Sequence, residues 1–175
     1  MILNNYFLLD GFQKSQMIPA TGHNNYADVG VVNVLGQRVA LYTTSNGHPI
    51  DGFNQNYVFI SGLSVRVGTG TSDVSAMDYC LDNDVSSSMT NLTTNVTISS
   101  DNSNIIRQFV TSGINSTDSA ITLTELLVTK KIYGFINGTW TSLPTEVAMV
   151  RYLLDDEIIV PASSGFTITF VWVQN

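Results

Sequence analysis

The stretch that decides the fold is the last one, residues 165–173, which read GFTITFVWV. Phe166, Ile168, Phe170 and Trp172 fall on one side of an extended chain, and Thr167, Thr169, Val171 and Val173 on the other. A period of two belongs to a strand, because successive Cβ atoms point to opposite faces of a sheet. Every side chain in the run is β-branched or aromatic, which suits a pleated, half-buried surface. Pro161 and Gly165 bracket a turn just before it.

The same pattern extends back along the chain. Leu63, Val65 and Val67 alternate with Ser64, Arg66 and Gly68. Thr94, Val96 and Ile98 repeat the theme, as do residues 106–111, 121–128 and 147–153. Residues 57–60 (YVFI) form a short apolar run. VVNV at 31–34 and RVALY at 38–42 flank Leu35-Gly36-Gln37 and predict a hairpin. Asn137-Gly138 predicts another, since a two-residue hairpin turn needs positive φ at both positions. Residues 82–104 are the most polar stretch and read as a long surface loop holding one edge strand. Asp155-Asp156-Glu157 reads as a polar corner. The best internal helix candidate is 72–79, with Ser72 or Asp73 as N-cap, at most two turns long. The expected fold is therefore all-β: an antiparallel β-sandwich, jelly-roll-like, with little helix.

The beginning differs. Ile2, Leu3, Tyr6, Phe7, Leu9 and Phe12 come close to helical spacing, but Asn4, Asn5 and Gly11 limit any helix there. Residues 1–25 read as an N-terminal arm, and 26–175 as a single sandwich domain. An apolar arm outside a core is suited to docking on a neighbouring subunit, so Ile2, Leu3, Tyr6, Phe7 and Phe12 are candidate contact residues.

Composition narrows the function. The 175 residues include 7 basic and 14 acidic side chains, a net charge of −7. Charged residues are 12% of the chain, against about 25% in an average soluble domain. Asn, Ser and Thr take their place. The 43% apolar fraction argues against disorder. An acidic chain with dispersed cations offers no phosphate-tracking patch, so nucleic acid is not an expected partner. No apolar run is long enough for a membrane span, and the opening lacks the basic leader of a signal peptide. The single cysteine, Cys80, excludes an internal disulfide framework and a cysteine-based zinc cluster, and reads as a buried free thiol.

No residue pattern carries catalysis. His23 and His48 sit in loop-like sequence without a partner motif. Only three glutamates exist, with no recognisable pair. VGTGTS at 67–72 is not a phosphate-binding glycine loop; it reads as a strand end turning a corner. The oxygen-rich groups Asp82-Asn83-Asp84 and Asp101-Asn102-Ser103-Asn104 lack the calcium-loop pattern and read as solvated acids. No cofactor or metal is expected. The sequons at Asn91, Asn95, Asn115 and Asn137 are about as many as chance gives in so Ser/Thr-rich a chain. Glu125 shares strand parity with Ile121 and Leu123, and Arg151 with Met149 and Leu153. A lone charge in such a register is costly. The two are expected to face each other, or to share one semi-buried polar cluster that fixes strand register.

The string LSVRVGTGTSDVSAMDYCLDNDV, then SAITLTELLV, then AMVRYLLDDEIIVPASSGFTITFVWV, resembles a recurrent pattern in tailed-bacteriophage virion proteins. That pattern has a strand ending in V-G-T-G-T and an Asp-Tyr-x-Leu corner, here Asp78, Tyr79 and Leu81. It continues with an I-T-x-T-E strand, here Ile121, Thr122, Thr124 and Glu125, and an Arg followed by Leu and Asp, here Arg151, Leu153, Leu154 and Asp155. The resemblance covers roughly residues 57–175. It departs at Leu126-Leu127, where the pattern has an apolar residue and then Gly. It implies a non-enzymatic β-sandwich of the virion, foremost a head decoration or auxiliary protein that binds neighbouring virion subunits and forms a homo-oligomer. The alternative is a tail, fibre or receptor-binding module for a host-surface glycan or protein. Tyr133, Phe135 and Trp140 around the Asn137-Gly138 hairpin would be its contact residues.

Overall fold

The structure is a computed structural model and describes residues 30–40, 63–101, 104–132, 135–136, 139–140 and 145–174. The expected arm, with Ile2, Leu3, Tyr6, Phe7 and Phe12, lies outside the described residues. So do Tyr133, both histidines and the 57–60 run. Among the described residues, ten strands run in order: β1 (Gly30–Val32), β2 (Arg38–Ala40), β3 (Leu63–Gly68), β4 (Met89–Asp101), β5 (Asn104–Asn115), β6 (Ile121–Ile132), β7 (Phe135–Ile136), β8 (Thr139–Trp140), β9 (Thr145–Val160) and β10 (Gly165–Gln174). Helical structure among them is one 3-10 turn at Ser86–Ser88. The chain is all-β with antiparallel sheets in a sandwich-like fold, as the alternation predicts.

The strands form three sheets, in the orders β1-β2-β7-β8, β10-β5-β4 and β3-β6-β9. Contacts divide the chain into two compact units. The first holds Met1–Gly62, Val74–Cys80 and Val128–Arg151; the second holds Leu63–Asp73, Leu81–Leu127 and Tyr152–Asn175.

In the first unit the predicted hairpin forms, with Val32 opposite Arg38 and Val31 opposite Val39. Asn33 closes it. Its Oδ1 accepts from the N–H groups of Leu35 and Gln37, at 3.1 and 2.8 Å. Gly36 has φ +76, a conformation that favours glycine. The second predicted hairpin is also present. Phe135 pairs with Trp140 and Ile136 with Thr139, which leaves two residues, 137–138, as the connection.

In the second unit β10 pairs with β5 over its whole length, and β5 with β4. The two faces of β10 are those read from the sequence. Ile168 and Trp172 are buried, Phe166 and Phe170 half-buried, and Thr167, Thr169, Val171 and Val173 exposed. Across the inner face Phe170 stacks on Phe109, with ring centroids 4.8 Å apart. Trp172 stands opposite Arg107, whose guanidinium carbon lies 4.7 Å from its ring centroid. Between β5 and β6, Asn115 acts as a latch. Its Nδ2 donates to the carbonyls of Ser119, Val160 and Pro161 at 2.8, 3.1 and 3.1 Å. One of the four sequons is thus a fully buried structural asparagine.

Four expectations need correction. Residues 72–79 are not helical. Ser75 and Asp78 bind nearby backbone N–H groups (Met77 to Ser75 Oγ, Ser75 to Asp78 Oδ2), which competes with a helix. Residues 82–104 hold the expected edge strand, but that strand is β4, thirteen residues long, so most of the stretch is not loop. Its polarity reflects exposure at a sheet edge, where Thr93, Asn95, Thr97 and Ser99 alternate with half-buried Thr94, Val96 and Ile98. Asp155-Asp156-Glu157 is not a corner. It lies inside β9, an outer strand of its sheet, with all three side chains exposed. Charge on an outer strand deters pairing with foreign strands. Cys80 is half-buried, not buried.

Candidate functional site

Strand β3 ends in the glycine turn Gly68-Thr69-Gly70. The turn exists because it wraps a carboxylate. Glu125, on β6, is fully buried. Its Oε1 accepts from the N–H of Gly70 at 2.9 Å and of Asn83 at 3.1 Å. Its Oε2 accepts from the N–H of Asp82 at 3.3 Å. These bonds replace the water that a buried anion gives up.

The glycines are required by the close approach. A Cβ on Gly68 would lie 2.5 Å from Glu125 Oε1 and 2.8 Å from the Asn83 carbonyl oxygen. A Cβ on Gly70 would meet Asp82 Cβ and lie 2.5 Å from Glu125 Oε1. The neighbouring residues complete the knot. Thr124 Oγ1 donates to the Gly70 carbonyl at 2.7 Å. Thr69 N–H donates to the Asn83 carbonyl at 3.0 Å. Ser72 binds Asp82 through both its N–H and its hydroxyl. Arg66 pairs with Asp84 at 2.6 Å on the half-exposed rim. The glycine-rich string thus cradles an anion, and that anion belongs to the chain itself.

Three segments distant in sequence (68–70, 82–84 and 124–125) meet at this one carboxylate. All three belong to the string that carries the resemblance. The departure at Leu126-Leu127 leaves β6 regular; both residues are buried and the strand continues to Ile132.

Arg151 belongs to the first unit and Glu125 to the second. Arg151 is 1% exposed, and its Nη1 donates to Asp78 Oδ2 at 2.8 Å. The same Asp78 oxygen accepts from Ser75 N–H at 3.0 Å. This fixes the 74–80 segment. Tyr79 comes to rest beside the hairpin tip, where a Cβ on Gly36 would touch its ring at 3.3 Å. Leu35 and Met77 remain among the most exposed apolar side chains.

Sequence reasoning missed two buried cations. Arg107 shares parity with Phe109 and Thr111, so the argument that singled out Arg151 applies to it as well. Lys130, on β6, is 2% exposed. Burial lowers its ammonium pKa from 10.5 to about 8. Between those values the unfolded chain binds a proton that the folded chain does not, so stability rises with pH across that window. Burial also raises the Tyr152 phenol above its ordinary 10.0, which acts in the opposite direction above pH 10. Denaturation curves should therefore show a gain of about 2 kcal/mol between pH 8 and 10. Lys130→Met should abolish that gain; a variant that keeps it would show that another group is responsible.

Of the hairpin aromatics, Phe135 and Trp140 are Cα partners. Among the described residues no three His, Cys, Asp or Glu side chains converge as a metal site. Among them too, no helix is long and apolar enough to cross a membrane. Comparisons with protein-family models, with curated proteins and with solved structures find no match.

Proposed function

We propose that this chain is a structural component of a tailed-bacteriophage virion, foremost a head decoration or auxiliary protein that binds neighbouring virion subunits. The observation that carries the reading is the carboxylate knot. The V-G-T-G-T turn and the I-T-x-T-E strand are residues that resemble virion proteins, and Asp82-Asn83 lies in the same string. Their glycines and glutamate interlock in space. A resemblance made of residues that depend on one another is stronger than one made of scattered matches.

The physical character of the chain supports the same reading. A sandwich-like fold with 12% charged residues has few groups whose titration could loosen it. Its buried charges are placed to lock strands and turns: Glu125 holds a turn and Arg151 holds a segment. Such an object works by being a stable surface. The N-terminal arm, around Ile2, Tyr6 and Phe7, is the expected contact with neighbours.

The test is to find the protein in a particle. Cryo-electron microscopy of purified virions from a genome that encodes this chain should show it on the head surface. Deleting residues 1–20 should leave the sandwich folded and reduce incorporation. Density at the tail tip would favour the receptor-binding alternative, with Phe135 and Trp140 at the contact. Absence from the particle would overturn both readings.

A further inference from the structure

We infer that the turn at 68–70 and the segment at 82–83 form a carboxylate receptor in their own right, for which Glu125 is the attached ligand. The inference begins with which bonds hold the receptor together. The two segments are joined by bonds in which Glu125 takes no part. Thr69 N–H donates to the Asn83 carbonyl and Val85 N–H to the Val67 carbonyl, each at 3.0 Å. Gly68 and Asp84 form an antiparallel bridge. Asn83 Nδ2 donates to Thr69 Oγ1 at 2.5 Å, and Ser72 donates to Asp82 Oδ2 through both its N–H and its hydroxyl. On the rim Arg66 Nε donates to Asp84 Oδ2 at 2.7 Å, and Asp84 Oδ1 accepts from Ser86 N–H at 2.8 Å. The frame is thus fixed by main chain and side chain without the glutamate.

The N–H groups of Gly70, Asp82 and Asn83 converge inside that frame on one carboxylate. Asp82 and Asn83 are consecutive, and each donates to a different oxygen. Successive N–H groups turned to one point form an anion-binding concavity. The glycines shape its wall. A Cβ on Gly68 would stand 2.8 Å from Glu125 Cγ, and one on Gly70 2.5 Å from Oε1. The recess therefore has room for a carboxylate and for the methylene that carries it. Thr124 Oγ1 also donates to the Gly70 carbonyl at 2.7 Å, so β6 stays tied to the turn when the glutamate side chain is removed.

The ligand class follows from what the side chain places there. Glu125→Ala removes a methylene and a carboxylate, which are the heavy atoms of an acetate ion. Acetate replaces what is lost. Formate keeps both oxygens but leaves the methylene space empty, and propionate brings one carbon too many. The charges around the recess set the affinity. Arg66 is paired with Asp84, and Asp82 adds a negative charge beside the recess. An external anion must enter against that charge. Glu125 does so because its attachment to β6 gives it a high effective concentration. A free carboxylate is therefore a weak ligand, and in the native chain Glu125 excludes it.

The site belongs to the isolated chain, so its failure would leave the virion reading untouched. The test is urea denaturation, followed by tryptophan fluorescence, of the purified protein and its Glu125→Ala variant in sodium acetate and in sodium chloride at equal ionic strength. A site with a Kd of about 50 mM, held in about 0.5 M acetate, lowers the unfolding constant about tenfold. Glu125→Ala should gain that factor in acetate over chloride, beyond whatever the wild type gains. Formate and propionate should each give less. The double variant Gly70→Ala/Glu125→Ala, whose added Cβ enters the recess, should gain no more than wild type. If Glu125→Ala is unfolded in chloride, acetate should refold it. Three results would each overturn the inference: a Glu125→Ala protein that gains no more than wild type or stays unfolded in acetate, equal gains from all three carboxylates, or a double variant that gains as much as the single one.

Discussion

Glu125→Ala lowers folding stability by about 3–5 kcal/mol. The change is expected to be among the most damaging single substitutions in the chain. Truncation strips the acceptor from the N–H groups of Gly70, Asp82 and Asn83 at once. A buried donor left without an acceptor costs about 1–3 kcal/mol. It also leaves a void beside Gly68 and Gly70, which stand within a Cβ's reach of the side chain now gone. Glu125→Gln separates shape from charge. Its carbonyl oxygen can still take the two shorter bonds, from Gly70 and Asn83, while its amide meets the Asp82 N–H as donor against donor. The Gln variant should lose less than the Ala variant. Gly70→Ala attacks the same knot from the other side, and its Cβ has nowhere to go. Because both substitutions break one contact set, their effects should not add: the double variant Gly70→Ala/Glu125→Ala should cost clearly less than the sum. Urea denaturation followed by tryptophan fluorescence measures all four variants. A Glu125→Ala protein within about 1 kcal/mol of wild type would show that the knot carries no stability.

The strands were legible in the sequence, and the reason lies in their edges and faces. Residues 165–173 alternate because one side of β10 meets Phe109 and the other meets solvent. Where both faces are covered the alternation vanishes. Residues 125–130 of β6 are buried without interruption, and Glu125 and Lys130 sit there among leucines. Parity alone could flag Glu125 as costly, but it could not supply partners that are backbone N–H groups. A backbone donor has no signature in sequence. The glycines at 68 and 70 are the available signal, but a strand end turning a corner accounts for them equally well in sequence. Polarity misled in the opposite direction. The Thr, Asn and Ser of residues 89–101 look like a loop because an outer strand exposes one face wholly and the other by half. The three acids at 155–157 look like a corner for the same reason.

Asp78→Asn lowers stability by about 2–4 kcal/mol, and its cost should exceed that of Arg151→Met. The asymmetry follows from where each charge sits. The Arg151 side chain is 1% exposed, whereas that of Asp78 is 21% exposed. Removing the arginine leaves a carboxylate that water can reach and puts a methionine at a buried position of β9. Removing the carboxylate charge leaves the guanidinium buried, opposite a neutral amide. A buried pair is little screened by salt, so the cost should persist at high ionic strength. The local consequence is as diagnostic as the global one. Asp78 also holds Ser75 N–H, and its own N–H donates to the Ser75 carbonyl at 3.1 Å. Loosening it should free the 74–80 segment and lift Tyr79 from the Gly36 tip. Hydrogen exchange should therefore accelerate at Ser75 and Asp78 while the β5–β10 ladder stays protected. Uniform acceleration across both would mean that the pair supports the whole fold rather than this segment, and unchanged exchange at Ser75 would remove it as the anchor.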